Sequence, residues 1–174
     1  MTKRIPLTEW KRIPPTCSCE KCQSMCEVPC WPTPEEHLDL LARGYGNKMM
    51  VTERETEKGD RYITVISPAK RGRECKDNLD TDTSCVFQTE EGLCELHGTC
   101  KPLEGRLAIC EIEGRRRGSE PKDLRDRIAE LWDNPEAQKL VRDWVFTYGR
   151  RDYTWSFAAD GSIFCYNPDS NEDD

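Results

Sequence analysis

The spacing of apolar residues changes several times along the chain, and each change predicts an element. Thr33-Pro34-Glu35-Glu36 opens a helix: Thr33 caps it, Pro34 suits the first helical position, and two carboxylates complement the positive end of the dipole. Leu38, Leu40 and Leu41 supply its buried side, Gly44 stops it, and His37 reads as an ordinary surface residue. The runs Lys48 to Glu55 and Arg61 to Ser67 flank Glu57-Lys58-Gly59-Asp60. Their β-branched and aromatic content predicts an antiparallel hairpin. Further on, Cys85-Val86-Phe87-Gln88 and Leu93-Cys94-Glu95-Leu96 bracket an acidic turn, as a second short hairpin or a metal-bound knuckle.

The following third is helical. Ser119, Glu120, Pro121 and Asp123 mark a start, and Leu124, Ile128 and Leu131 repeat at helical spacing. Asn134-Pro135-Glu136 opens another helix, with Leu140, Val141, Trp144, Val145 and Tyr148 on one face and Gly149 at its end. Tyr153, Trp155 and Phe157 then alternate with polar residues, and Asp160-Gly161 turns the chain back through Ile163 to Tyr166. The aromatics Trp144, Tyr148, Trp155 and Phe157 read as core. The pattern predicts an α+β fold: one small metal-stabilised domain over 17–166, with short antiparallel hairpins and three or four helices. An extended, proline-interrupted arm at 1–16 precedes it, and an acidic tail at 167–174 follows.

Composition explains why metal enters this expectation. Only 36% of the 174 residues are hydrophobic, 34% are charged, and the mean hydropathy is -0.83. Such a chain has apolar runs enough to fold but a thin core, so another source of cohesion is needed. The 11 cysteines are that source. The N-terminus, MTKRIPLTEWKRIPPT, has no apolar signal-peptide segment, and no stretch is long enough for a membrane helix. Those features predict a cytoplasmic location without membrane insertion, and there clustered thiols serve as ligands rather than disulfides. The net charge of -7 argues against nucleic-acid binding by the whole surface. Two basic runs, Lys70 to Lys76 and Arg115 to Arg117, remain candidate contacts for a protein or nucleic-acid partner.

The candidate ligands fall in two groups. The first holds Cys17, Cys19, Cys22, Cys26 and Cys30, five thiols in 14 residues, which core packing does not explain. Cys19-x2-Cys22 is the bite with which one tight turn grips an ion, and Cys26 and Cys30 share a face if their segment is helical. The second group runs through Cys75, Cys85, Cys94, His97, Cys100 and Cys110. Cys94-x2-His97-x2-Cys100 has ligand-like spacing, with His97 a ligand, a partner to one, or a surface residue. Cys165, in the last hairpin, is a core thiol or a ligand.

This layout resembles the YkgJ-like cysteine-cluster proteins, described as zinc- or iron-chelating domains. The matching pieces are Cys19, Cys22, Cys26 and Cys30, followed by CVFQTEEGLCELHGTCKPLEGR with Cys85, Cys94 and Lys101-Pro102. The resemblance spans roughly residues 17 to 110 and implies metal binding by these thiols. Two departures stand out. The adjacent cysteines usual at the end of the first cluster are absent, and Gly105-Arg106 stands where the family pattern places a final Cys-Arg. Cys100 or Cys110 then supplies the missing thiolate, or the site uses fewer ligands.

Zinc and an iron–sulfur cluster such as [4Fe–4S] both accept four thiolates, so the donors leave the metal open. The run Cys19-x2-Cys22-x3-Cys26-x3-Cys30 is one residue longer than the bacterial ferredoxin run, and no proline directly follows its last cysteine. A closed zinc site contributes folding energy on the order of 10 kcal/mol or more, which suits a polar chain and tips the expectation slightly toward zinc. The first function expected is a metal-stabilised interaction module. The alternative is an iron–sulfur enzyme or redox protein that could act with a partner on a macromolecular substrate. No Ser-His-Asp set, P-loop or paired-carboxylate arrangement is recognisable, which argues against hydrolase and kinase chemistry.

Overall fold

The computed structural model describes residues 23, 25–56, 58–78, 83–107 and 124–169. The arm at 1–16, Glu57, the helix start at Ser119 to Asp123 and the end of the tail at 170–174 lie outside the described residues, as do Arg115 to Arg117. Among the described residues are four α-helices: α1 (Pro34–Ala42), α2 (Leu103–Leu107), α3 (Leu124–Trp132) and α4 (Pro135–Tyr148). Two antiparallel hairpins complete the α+β architecture, β1 (Met49–Glu55) with β2 (Tyr62–Pro68) and β3 (Thr154–Phe157) with β4 (Ile163–Tyr166). No described helix is long and apolar enough to cross a membrane.

Local chemistry sets the helix ends. Thr33 and Glu36 form a reciprocal capping box: the Glu36 amide donates to Thr33 Oγ1 at 3.2 Å, and the Thr33 amide donates to Glu36 Oε2 at 2.9 Å. Losing such a cap costs about 1 kcal/mol. Asn134 caps α4 with its side chain alone, its Oδ1 accepting from the Glu136 and Ala137 amides. Helix α2, five residues long, has no apolar repeat that would announce it in the sequence. Its first amide, from Leu103, also donates to Glu36 Oε2 at 3.1 Å, so one carboxylate anchors two helix starts.

The first hairpin pairs Met49 with Pro68 through to Glu55 with Tyr62. Met49 to Thr52 and Ile63 to Pro68 are buried on both faces, so burial there is continuous rather than alternating. Residues Cys75 to Asp77 run along the far edge of β1, where the Val51 amide donates to Lys76 O at 2.9 Å. Helices α3 and α4 pack on β2. The second hairpin is tied to the first through two carboxylates: Glu53 accepts from the Ile163 amide, and Asp77 Oδ2 accepts from the Cys165 amide at 2.9 Å. Buried indoles are satisfied, Trp132 donating to Pro32 O at 2.8 Å and Trp144 to Gly46 O at 3.0 Å. An orphaned indole N–H would cost about 1–3 kcal/mol.

Several expectations from periodicity need correction. Leu38 is 47% exposed, and α1 instead buries His37 with Leu40. Leu131 is largely exposed, and α3 buries Leu124, Ile128, Ala129 and Trp132. Phe157 lies at the surface, stacked on Phe146 at 6.3 Å between centroids. The region around Cys85 and Cys94 forms turns joined by the single bridge Gln88–Cys94, not a strand hairpin.

His37 is the most unexpected of these. Its ring is fully buried, packs edge-on to Trp132 at 5.5 Å, and has no hydrogen-bond partner at either nitrogen. Burial holds its pKa down at about 4, from an ordinary 6.5. The folded state therefore keeps His37 neutral while the unfolded chain binds a proton below pH 6.5. Its contribution to stability is complete above that pH and is lost as pH falls toward 4. Between pH 7 and 5 the loss is about 2 kcal/mol. His37→Leu removes both orphaned nitrogens. Urea unfolding should show the variant at least as stable as wild type at pH 7, with the gap growing by about 2 kcal/mol at pH 5. Parallel pH dependences for the two proteins would contradict this account.

Candidate metal centre

Pro29 resists helix in the residue before it, so the 3-10 turn at Met25–Glu27 ends before Cys30. Cys26 and Cys30 are therefore not one helical turn apart, as their spacing suggested. They nevertheless face the same space. The segment after Cys30 is clamped by α2 and α3. Glu104 Oε2 accepts from the Trp31 amide at 2.5 Å, Arg125 Nη2 donates to Pro29 O at 3.2 Å, and Arg125 pairs with Glu104 at 2.7 Å. The Arg125 guanidinium lies over the Trp31 ring at 4.7 Å, so three kinds of contact fix one short stretch.

Cys85 and Cys94 each begin a reverse turn. The Gln88 amide donates to Cys85 O and the His97 amide to Cys94 O, both at 3.0 Å. Between them the chain folds back through Thr89 to Leu93, where Thr89 N donates to Leu93 O at 2.8 Å and Gly92 takes φ +76°. The Phe87 amide hydrogen-bonds the Cys85 thiol, an arrangement that helps a thiolate act as a ligand. The two halves of the site meet directly: the Cys85 amide donates to Cys26 O at 2.8 Å.

Four cysteines, Cys26, Cys30, Cys85 and Cys94, line one cavity of about 410 Å3. Its remaining wall is mostly apolar, from Pro68, Phe87 and Leu96, with Lys101, Glu104, Gly105 and Arg125 on one side. Among the described residues no set of three His, Cys, Asp or Glu side chains is arranged to hold a single ion directly. None of the described cysteines is in a disulfide.

Electrostatics show what such a pocket asks of an occupant. Burial pushes the Cys85 thiol up to about 12, with the nearby Cys26 and Cys94 adding to it and the Phe87 amide opposing. Burial likewise raises Cys30 well above the ordinary thiol range, with Cys85, Glu104 and Cys94 adding to it and Lys101 opposing. Cys26 is raised by burial first and then by Cys94. Four thiolates gathered here would be desolvated and mutually repelled. A thiophilic cation bound among them removes both penalties, and soft sulfur donors select zinc or iron–sulfur centres over hard cations. By donor type, four cysteine thiols suit a thiophilic centre.

The other predicted ligands are placed elsewhere or fall outside the described residues. Cys17, Cys19, Cys22 and Cys110 lie outside them. Cys100 lines a separate small groove with Glu36, Asp39, Thr99 and Arg106, and Thr99 Oγ1 donates to its sulfur at 3.6 Å. The half-buried His97 is not among the residues lining the thiol cavity. Cys75, in the left-handed region at φ +60°, donates to Asn47 O at 3.4 Å. Cys165 is a core thiol whose sulfur accepts from the Asp77 amide at 3.4 Å. Sequence reasoning missed Glu104 and Arg125, whose importance rests on contacts with Trp31 and Pro29 across long separations.

Glycine supplies a test of the knuckle. At Gly92 a Cβ would be strained by the positive φ and would meet the Gln23 side chain at 2.2 Å. At Gly98, φ +79°, a Cβ would have nothing within 4 Å. Gly98→Ala should cost about 1 kcal/mol from backbone strain alone, and Gly92→Ala about 1 kcal/mol more. Equal losses in chemical denaturation would show that the Gln23 contact does not hold the turn.

No family model, curated protein or solved structure matches the chain.

Proposed function

We propose that this protein holds an iron–sulfur cluster through Cys26, Cys30, Cys85 and Cys94. The observation that carries the reading is the convergence of these four thiols, from two segments far apart in sequence, on one cavity. A single tetrahedral zinc would draw its sulfurs to roughly 3.8 Å from one another, given a bond of about 2.3 Å. The four cysteines here instead line a cavity of about 410 Å3. That arrangement supports a body larger than one ion, and a thiolate-ligated cluster is such a body. It shifts the reading from zinc to the iron–sulfur alternative. The resemblance to YkgJ-like proteins takes in Cys26, Cys30, Cys85 and Cys94 together with Cys19 and Cys22, which lie outside the described residues.

The bound centre supplies a one-electron couple, and it would cross-link the Cys26–Cys30 segment to the knuckle. Val28, 58% exposed, stands on the rim of the cavity, so a redox partner has short access to it. The interaction-module reading assigned its working surface partly to the basic run Lys70 to Lys76. Those cations have duties inside the fold: Lys70 is buried, Arg71 donates to Gln88 O, Arg73 pairs with the shielded Asp77, and Lys76 lies over the Tyr153 ring at 5.0 Å. Little of that run is left for a phosphate backbone, which makes the thiol site the feature with chemistry to offer. Contact with a protein or nucleic acid through Arg115 to Arg117 stays a separate proposal, for residues outside those described.

Purification without oxygen should yield iron and acid-labile sulfide in equal amounts, with broad visible absorption. Serine at Cys26, Cys30, Cys85 or Cys94 should each remove most of that iron, while Cys75→Ser and Cys100→Ser keep it. One zinc per chain with no visible band would overturn the cluster. Iron lost in Cys100→Ser but kept in Cys94→Ser would overturn the ligand set.

A further inference from the structure

Four thiolates bring a large negative charge into a partly apolar cavity, and something near them must offset it. Two basic side chains line the wall. Arg125 is committed, paired with Glu104 at 2.7 and 3.1 Å and stacked over Trp31. Lys101 makes no ion pair with a carboxylate among the described residues. The absence of a side chain at residue 105 leaves room for its stem beside Cys30. A Cβ on Gly105 would lie 2.9 Å from Lys101 Cε and 3.1 Å from Cys30 Sγ, so stem and sulfur crowd the same point. Pro102 separates Lys101 from the start of α2 at Leu103, and Glu36 fixes that start through the Leu103 amide.

We infer that Lys101 is the charge-compensating residue of the four-thiolate centre, a positioning residue whose ammonium stabilises the more negative state of whatever metal the thiols hold. The inference rests on the ligand set proposed above. It goes beyond that reading by assigning the electrostatic control of the site to one residue that is not a ligand. A cation beside a cluster favours the reduced form, which carries one more negative charge, and so raises the reduction potential.

The test uses the full chain as wild type, Lys101→Met and Lys101→Arg. Methionine keeps the length and apolar stem without the charge, and arginine keeps the charge. With the cluster loaded, Lys101→Met should retain wild-type iron and sulfide while its reduced-to-oxidised ratio at a fixed potential falls at least tenfold, a shift of about 59 mV for a one-electron couple. Lys101→Arg should fall between the two. In parallel, the metal-free proteins are titrated with zinc alone against a chromogenic chelator, where Lys101→Met should bind at least tenfold more weakly. Unchanged potential and unchanged zinc affinity in Lys101→Met, with normal loading, would overturn the role of Lys101 and leave the ligand set standing. Wild type that takes up neither cluster nor zinc would overturn both.

Discussion

One backbone hydrogen bond, from the Cys85 amide to the Cys26 carbonyl, sets the relation between two cysteine segments separated by most of the first half of the chain. It places the 3-10 turn bearing Cys26 against the first of the two reverse turns, and Cys85 is itself bridged to Lys70 at the end of β2. The thiol cavity is thus built onto the first hairpin, the most thoroughly buried element in the fold. Contacts from Gln88 Nε2 to Gln23 O at 3.1 Å and from Gln23 Nε2 to Glu91 O at 3.4 Å extend the same docking. A bound centre would reinforce an interface that the backbone hydrogen bond already specifies.

Two carboxylates complete the frame from the other side. Glu36 serves the capping box of α1, the first amide of α2 and the Arg106 guanidinium at 2.6 Å. Glu104, one turn along, fixes Trp31 beside Cys30 and holds Arg125 of α3. Both are shielded, with side chains 21% and 15% exposed, so their pairs count for more than the exposed pairs Arg43–Asp39 or Lys139–Asp143. The consequence for function is that Lys101, between these anchors, presents its side chain along the thiol wall instead of wandering in solvent.

The sequence made local structure readable where a chemical signal is local. The Thr33-Pro34-Glu35-Glu36 and Asn134-Pro135-Glu136 starts, the β-branched run before Pro68 and the Asp160-Gly161 turn all appear where their chemistry placed them. Four of the predicted ligands, Cys26, Cys30, Cys85 and Cys94, meet at one cavity. Their selection over Cys100 was not readable. The Cys94-x2-His97-x2-Cys100 spacing suggests one grip, but the Thr99 and Cys100 amides both donate to Leu96 O, and this second turn sends Cys100 into a different groove. His37 misled for a related reason: its polarity argues for solvent, whereas the packing of α3 puts Trp132 over it. Helix α2 was hidden because a five-residue helix held by Glu36 carries no periodicity of its own. In each case the deciding partner lies far along the chain.

Whether one centre larger than a single ion sits among the four cysteine sulfurs decides the proposed function. X-ray absorption at the metal edge of the anaerobically isolated protein tests it most directly, since it reads the ligating atoms and any neighbouring metal together. The account predicts an iron edge, sulfur-only ligation and a clear metal–metal scattering component. A zinc edge with four sulfurs near 2.3 Å and no metal neighbour, or a first shell containing nitrogen or oxygen, would contradict it.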